Sequence, residues 1–281
     1  MSRNQTQLRE REAILGAIAG DVIGSVHEGR SPGLKDFPLF TSRSCFTDDT
    51  VLTVAVADAI LNDQDYGVAI RKWGQRYLTA GYGHRFYTWL TGPDTGPYNS
   101  FGNGAAMRVS PVGWAFNDGT EISKHAVMSA AVSHNHPEGI KGAQAVAGAV
   151  GGARAGHSKE EIAAWLHKVF GYNCSLSLEE LRERGGVGAT CQETVPAAVS
   201  AFLWSTDFED AVRNAVSLGG DTDTTACIAG AIADAYYGGV PEVIALAALR
   251  RLDRPLFKVF DRFWLRYRQQ GRRLRVVPTD R

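Results

Sequence analysis

Two short segments combine carboxylates with hydroxyls where loops enter apolar stretches of the chain. The first is Thr47-Asp48-Asp49-Thr50, and the second is Asp221-Thr222-Asp223-Thr224. Neither contains Lys or Arg, so their four carboxylates would repel one another at close range unless a cation joined them. Mg²⁺ and Mn²⁺ take carboxylate, hydroxyl and water oxygens as ligands and need no Cys or His. If the clusters meet in the fold, they predict a site with room for two such ions.

Helix capping is the simpler interpretation of either cluster alone. Asp and Thr at a helix start satisfy free backbone N–H groups and suit the positive end of the helix dipole, for about 1 kcal/mol. One acidic residue would be enough for that purpose. Because a Thr-flanked pair of acids precedes two separate apolar stretches, we favour metal binding over capping.

Two further acids lie near the start of the chain. Asp21 lies within an apolar stretch and is expected to be hydrogen-bonded in the core, because a buried charge requires partners. Glu28 follows the expected end of that helix and is therefore freer to act as an acid or base.

Two loop segments could contact a substrate. The segment Ser100–Gly104 is a glycine-rich turn before a helix, where exposed N–H groups can bind phosphate, although Asn-Gly is also an ordinary turn signal. The segment His134-Asn135-His136 has no Cys or third His nearby, so hydrogen bonding or substrate contact is favoured over a transition-metal site.

Helices are expected to position these residues. Period-2 alternation is nearly absent, so the predicted fold class is all-α. Helix starts are predicted where Ser or Thr precedes Glu by three residues, at Ser158/Glu161, Ser177/Glu180, Thr190/Glu193 and Thr206/Glu209. An amphipathic helix near the end of the chain is predicted from a stripe formed by Leu256, Val259, Phe260, Phe263, Trp264 and Tyr267.

Three segments are small and apolar on every side and are expected to be central helices. They are Ala13 to Val26, Val51 to Leu61 and Thr225 to Tyr237. Gly16, Gly20 and Gly24 recur on the first of them, which favours close approach of a neighbouring backbone.

Composition bounds the class of protein. The 281 residues, 44% of them hydrophobic, can build one core, and we predict a single domain over residues 1–281. Thirty basic and thirty acidic residues leave no net field for nucleic acid or an anionic membrane, so neither is an expected partner. The polar segment Met1 to Glu12 and the lack of a long apolar run indicate a cytoplasmic protein, expected to be a monomer. The four cysteines lack CxxC spacing and are expected to be buried free thiols.

Five segments in chain order resemble motifs of the ADP-ribosylglycohydrolase family, which includes dinitrogenase reductase-activating glycohydrolases and arginine- and serine-directed ADP-ribosylhydrolases. They are GDVIGSVHEG from Gly20, FTDDT from Phe46, FGNGAAMR from Phe101, SHNHPEG from Ser133 and LGGDTDTTACIAGAIADAYYG from Leu218. One such motif would be weak evidence, whereas five in order are specific.

The resemblance implies a compact, orthogonal multi-helix domain with a binuclear Mg²⁺ or Mn²⁺ centre. The implied metal ligands are Thr47, Asp48, Asp49, Asp221, Asp223 and Thr224. Asp223 is the expected bridge between the ions, and the implied catalytic residues are Glu28, Asp48 and Asp49.

The resemblance also implies a substrate. ADP-ribose is expected in a cleft beside the metals, with its diphosphate and distal ribose against Ser100, Phe101, Gly102, Asn103 and Gly104 and with His134 lining the same cleft. The expected reaction is hydrolysis of the glycosidic bond in an ADP-ribosylated protein or small ADP-ribose adduct, with arginine slightly favoured over serine. The alternatives are a binuclear hydrolase of a free ADP-ribose derivative or nucleotide, and an immunity protein against an ADP-ribosyltransferase toxin.

Overall fold

The chain folds into helices joined by loops. A computed structural model describes residues 13–94 and 96–267, and within them the chain forms fifteen α-helices and no strand beyond three isolated β-bridges. The helices are α1 (Leu15–Gly24), α2 (Asp48–Asn62), α3 (Tyr66–Arg76), α4 (His84–Thr91), α5 (Gly104–Met107), α6 (Ser110–Ala115), α7 (Gly119–Ala131), α8 (Pro137–Arg154), α9 (Lys159–Phe170), α10 (Leu178–Glu183), α11 (Cys191–Leu203), α12 (Phe208–Ser217), α13 (Thr222–Tyr237), α14 (Glu242–Leu249) and α15 (Arg254–Tyr267). The predicted all-α fold class is confirmed.

The three apolar helices predicted to be central are α1, α2 and α13, and their observed ends agree with the prediction within three residues. Every residue of α1 is buried, and α13 is buried from Thr222 to Asp234. Both α2 and α13 begin earlier than predicted because the acidic segments themselves form their first turns. Asp49 and Asp223 are therefore buried in these first turns, whereas Asp48 and Asp221 are partly exposed.

Three glycines allow α1 to pack directly on the backbone of α13. A Cβ on Gly16 would lie 2.2 Å from the Gly230 carbonyl oxygen, and one on Gly20 would lie 2.0 Å from the Ala226 carbonyl oxygen. A Cβ on Gly24 would lie 2.5 Å from the Cα of Asp223. The predicted close approach is confirmed, and it carries α1 to the first turn of α13.

Local patterns predicted several other elements correctly. The apolar stripe on α15 is buried, as expected, and α15 packs on α2. Ser158 and Ser177 each cap a helix in a reciprocal capping box with Glu161 and Glu180. These features depend only on neighbours in sequence, so the sequence is sufficient to locate them.

A helix begins directly after Thr190, as predicted, and another begins one residue later than predicted at Thr206, but neither Thr forms a capping box with its Glu. The Thr190 hydroxyl donates to the Glu193 carboxylate over 2.6 Å, so the two side chains bond each other and Thr190 accepts no backbone N–H. Thr206 is displaced by the next residue, because the Asp207 carboxylate accepts from the Asp210 N–H at 2.8 Å and α12 begins after it.

The cysteine prediction is right for three residues and wrong for the fourth. Cys174, Cys191 and Cys227 are buried free thiols, whereas Cys45 is exposed in the loop before α2. Separately, the described part of the chain has no helix with the length and apolar character needed to span a bilayer.

Four loop segments are joined by backbone hydrogen bonds, and we call them the loop frame: residues 29–30, 101–103, 187–191 and 219–221. The bonds are Gly29 N to Gly220 O, Gly220 N to Arg30 O, Val187 N to Gly219 O, Asp221 N to Val187 O, Asn103 N to Ala189 O and Cys191 N to Phe101 O, all between 2.8 and 3.1 Å. Gly220 has a φ of +74°, and a Cβ there would lie 2.2 Å from the Val187 carbonyl oxygen. Only glycine suits that position, which holds Asp221 in place.

Candidate active site

The structure brings the two acidic segments together. Thr47 caps α2 and Asp221 precedes α13, so the first turns of these helices supply carboxylates to one place. The Thr224 hydroxyl donates to Asp49 Oδ2 over 3.2 Å, which links the two segments directly. Mutual proximity is the requirement that the sequence left open.

Asp21 joins the two clusters and was absent from the metal ligands expected from the sequence. One carboxylate oxygen from each of Asp21, Asp49 and Asp223 lies within 4.8 Å of the other two, and all three residues are buried. The expected core hydrogen bonding of Asp21 is confirmed, since it accepts from the backbone N–H and the hydroxyl of both Thr47 and Thr50. A lone acid in an apolar helix was the available signal.

Burial and mutual repulsion make the charged cluster unfavourable without a cation. Burial, followed by the charge of Asp21, raises the pKa of Asp48 to about 8. Burial is also the first cause that holds the pKa of Asp49 and of Asp223 well above the usual range, with Asp223 next for Asp49 and Asp221 next for Asp223. Among residues 13–94 and 96–267, no Lys, Arg or His forms an ion pair with these acids.

The donor set fits a hard divalent cation. Asp49 Oδ1 is buried and has no hydrogen-bond partner among the described residues, which is costly for a carboxylate oxygen unless a cation supplies the contact. The surrounding donors are carboxylate and hydroxyl oxygens, the ligands that Mg²⁺ and Mn²⁺ prefer. The buried triad of Asp21, Asp49 and Asp223 could therefore bind metal.

Stability is expected to depend on pH and on divalent ions together. The folded-state pKa of Asp48, about 8, lies above the ordinary value of 3.8. Between these two pH values the folded state keeps a proton that the unfolded chain has lost, so the metal-free protein loses stability as pH rises. Mg²⁺ or Mn²⁺ should raise the thermal midpoint, and more at about pH 8 than at about pH 6, because protons compete less there.

Calorimetric melting with and without divalent ion checks this expectation. NaCl at matched ionic strength serves as the control, because simple screening would act equally on every surface charge. An equal rise in thermal midpoint with NaCl, or no dependence on pH, would contradict it.

A cleft of about 390 Å³ lies beside the carboxylates. Glu28 lies at the exposed edge of this cleft. Partial burial of its carboxyl group, together with the charge of Asp221, raises its pKa. The site residues expected from the sequence that line the cleft are Glu28, Asp48, Asp49, Ser100, Gly102, Asn103, Gly104, His134, Asp221, Asp223 and Thr224.

Two expected site residues do not line this cleft. The hydroxyl of Thr47 donates to Asp21 Oδ1 over 2.7 Å and so supports the cluster from behind. The side chain of Phe101 is 43% exposed and packs edge-on against the His136 ring, with 5.5 Å between ring centroids. Its carbonyl contributes to the loop frame by accepting from Cys191 N.

Asn103 lines the cleft but is engaged with the acids. Its amide donates to Asp221 Oδ2 over 2.8 Å and to the Thr194 hydroxyl over 2.9 Å. It was expected to contact substrate diphosphate, whereas in the structure its side chain holds Asp221 in place.

The cleft is also lined by residues that lie outside the motifs identified in the sequence. Arg85 and Phe86 from α4 and Tyr98 from the following loop line the cleft. The Arg85 guanidinium donates to the Tyr98 carbonyl oxygen over 2.6 Å and lies 5.1 Å from the centroid of its ring. No motif marks these residues, because the packing of α4 and the path of the loop after it bring them to the cleft.

The fold and the site define a class of protein: an all-helical domain in which a buried cluster of acids, able to bind a cation, borders a polar cleft. The chain belongs to the ADP-ribosylglycohydrolase family, which its residues 2–273 match. Members of this family are hydrolases that act on ADP-ribosylated substrates and depend on metal.

Three relatives illustrate the similarity. The ADP-ribosylhydrolase ARH3 of Bos taurus is 27% identical over 322 residues, which cover 83% of this chain and 87% of that protein. The uncharacterised protein YegU of Escherichia coli is 26% identical over 333 residues, covering 92% and 98%. A solved structure titled "ADP-ribosylglycohydrolase-related protein complex" superposes with a TM-score of 0.70 at 26% identity, covering 94% of this chain and 99% of that chain.

Proposed function

We propose that this protein hydrolyses the glycosidic bond between C1 of the distal ribose of ADP-ribose and a modified protein side chain. The observation that carries the proposal is a single cleft lined both by the acidic cluster and by the turn containing Ser100, Gly102 and Gly104. The family match supports the same substrate class. The proposed partner is an ADP-ribosylated protein or a small ADP-ribose adduct.

The acids would hold the metal cofactor, two Mg²⁺ or Mn²⁺ ions. The proposed ligands are Thr47, Asp48, Asp49, Asp221, Asp223 and Thr224, with Asp21 orienting Thr47 through its hydroxyl. When bound, the ions would fix the ribose hydroxyls and lower the pKa of a water molecule. Asn103 would keep the Asp221 carboxylate in the orientation that this requires.

Carboxylates of the chain would stabilise the positive charge of the transition state and supply a proton. Glycoside cleavage passes through an oxocarbenium-like transition state, whose positive charge Asp48 and Asp49 would stabilise from the cleft wall. Glu28 lines the same cleft, and its raised pKa lets it keep a proton closer to neutral pH. It would donate that proton to the departing side chain, as a general acid does.

The turn before α5 would hold the rest of the substrate. Ser100, Gly102 and Gly104 belong to a turn at the start of α5, and His134 lies beside it. Backbone N–H groups in such turns suit anionic oxygens. We assign the diphosphate and the distal ribose to this turn and to His134, with Phe101 contributing its backbone.

Charge favours arginine as the linked residue. Six carboxylates lie at or beside the cleft, those of Asp21, Glu28, Asp48, Asp49, Asp221 and Asp223. With Glu28 protonated as the general acid, the other five still carry more negative charge than two divalent ions would neutralise, so a guanidinium-linked substrate would be attracted. A neutral serine hydroxyl would gain nothing from that excess charge.

A direct assay tests the proposal. The purified protein is offered arginine-linked and serine-linked ADP-ribosyl proteins, with Mg²⁺, Mn²⁺ or a chelator. We expect release of intact ADP-ribose, faster from arginine and abolished by the chelator. Faster release from serine would overturn the linkage alone, whereas release of AMP or phosphate would replace the proposal with a nucleotide hydrolase.

A further inference from the structure

Arg108 is a fully buried cation without a counter-ion among the described residues. Its Nη2 donates to the Ser129 carbonyl oxygen over 2.8 Å and to the Ser133 hydroxyl oxygen over 3.0 Å, while its Nε and Nη1 have no partner there. Burial lowers the pKa of Arg108 to about 10, so the guanidinium stays charged near neutral pH. An unpaired buried charge lowers the free energy of unfolding, so a contribution to stability does not explain why an arginine occupies this position.

The hydrogen bonds of Ser133 have a defined direction. Its oxygen accepts from Arg108, which has no acceptor atom, so the hydroxyl hydrogen must be used elsewhere. The remaining partner among the described residues is Nδ1 of His134, 2.8 Å away. If Nδ1 donated instead, the buried Ser133 hydroxyl would have no acceptor among the described residues for its own hydrogen, which is costly. The contacts therefore favour donation from the hydroxyl to a lone pair on Nδ1.

A histidine with a lone pair on Nδ1 carries its hydrogen on Nε2. Burial, with the charges of Arg108 and Arg85, holds the pKa of His134 well below its usual range, which is consistent with a neutral ring. Three residues thus form a chain of bonds from Arg108 through Ser133 to the ring.

The other ring nitrogen faces the turn that borders the cleft. A Cβ on Gly104 would lie 3.0 Å from His134 Nε2, and one on Gly102 would lie 3.8 Å from it. Both glycines leave space next to this nitrogen, and all three residues line the cleft. A donor at Nε2 would therefore meet whatever occupies the space beside the turn.

We propose that Arg108 and Ser133 are positioning residues that fix His134 as a neutral Nε2–H donor toward an acceptor oxygen of the substrate. The identity of that oxygen, in the diphosphate or ribose of ADP-ribose, rests on the proposed function. The tautomer itself does not, because it follows from contacts within the protein.

Long-range ¹H–¹⁵N spectra of the imidazole in the ligand-free protein read the tautomer directly. We expect Nε2–H in the unmodified protein and in Arg108→Lys, whose ammonium still donates to Ser133. Ser133→Ala and Arg108→Met should shift the ring toward a mixture. Ser129→Ala is the matched control. It removes a buried hydroxyl near the same arginine, but the Ser129 hydroxyl donates to the Ala126 carbonyl oxygen and not to the ring.

Calorimetric titration with ADP-ribose tests the consequence for binding. Ser133→Ala should raise the dissociation constant about tenfold, equivalent to about 1.4 kcal/mol. In a His134→Gln background the amide supplies its own donor, so adding Ser133→Ala should change the constant little. A purely structural role for Ser133 would weaken binding equally in both backgrounds.

Two results would overturn the proposal: an Nδ1–H ring in the unmodified protein, or equal weakening by Ser133→Ala in both backgrounds. A protein that binds no ADP-ribose would contradict the proposed function, and the spectra would still decide the tautomer. Thermal midpoints of every variant confirm that the fold is intact.

Discussion

Asp223→Ala is expected to lower the rate of ADP-ribose release about a thousandfold, or about 4 kcal/mol of transition-state stabilisation. Asp223 shares the buried triad with Asp21 and Asp49, which could hold a divalent cation. Cation binding and turnover should therefore disappear together, as they should in Asp48→Ala. Metal content by mass spectrometry and initial rates check both losses.

Asp58→Asn provides the matched control. Asp58 is also buried, but it accepts from the Trp73 indole over 2.9 Å and lies outside the cleft. We expect this variant to lose stability, about 1–3 kcal/mol, and to keep its turnover. An Asp223→Ala protein that still holds metal and turns over at the unmodified rate would show that the acids are structural.

Gly20→Ala is expected to lower the free energy of unfolding by about 3 kcal/mol. The added Cβ would lie 2.0 Å from the Ala226 carbonyl oxygen, and a backbone atom cannot move aside as a flexible side chain can. Helix α1 must then shift from α13, which moves Asp21 relative to Thr47 and Thr50. Affinity for divalent ions should fall with stability, and denaturant unfolding with metal titration measures both.

Gly33→Ala is the control for this substitution. A Cβ at Gly33 would have nothing within 4 Å, so the same chemical change meets no neighbour. We expect its unfolding midpoint and metal affinity to match those of the unmodified protein. Equal stability of Gly20→Ala and Gly33→Ala would contradict the inferred packing of α1 on α13.

The elements that the sequence predicted well depend on neighbours along the chain. Stretches that are small and apolar on every side located the central helices, and Ser with Glu three residues later located two capping boxes. The two acidic segments were recognisable because Asp and Thr repeat at the start of apolar stretches. Their meeting could not be read from the sequence, because the glycines of α1 indicated only that some neighbouring backbone packs closely on that helix.

The features that escaped prediction depend on neighbours in space. Asp21 contacts Thr47 and Thr50 only because α1 crosses the start of α2. Arg85 reaches the cleft from α4, and Tyr98 reaches it from the loop that follows α4. The Thr206 cap failed for a local reason, since Asp207 offers a stronger acceptor one residue later.

The loop frame has an evolutionary consequence. Its hydrogen bonds run between backbone atoms, so most substitutions of the side chains around it leave the bonds intact. Gly29, Gly219 and Gly220, with positive φ angles, are the positions where the frame itself constrains residue type. Side chains around the frame can therefore change while the backbone that holds Asn103 and Asp221 at the cleft stays the same.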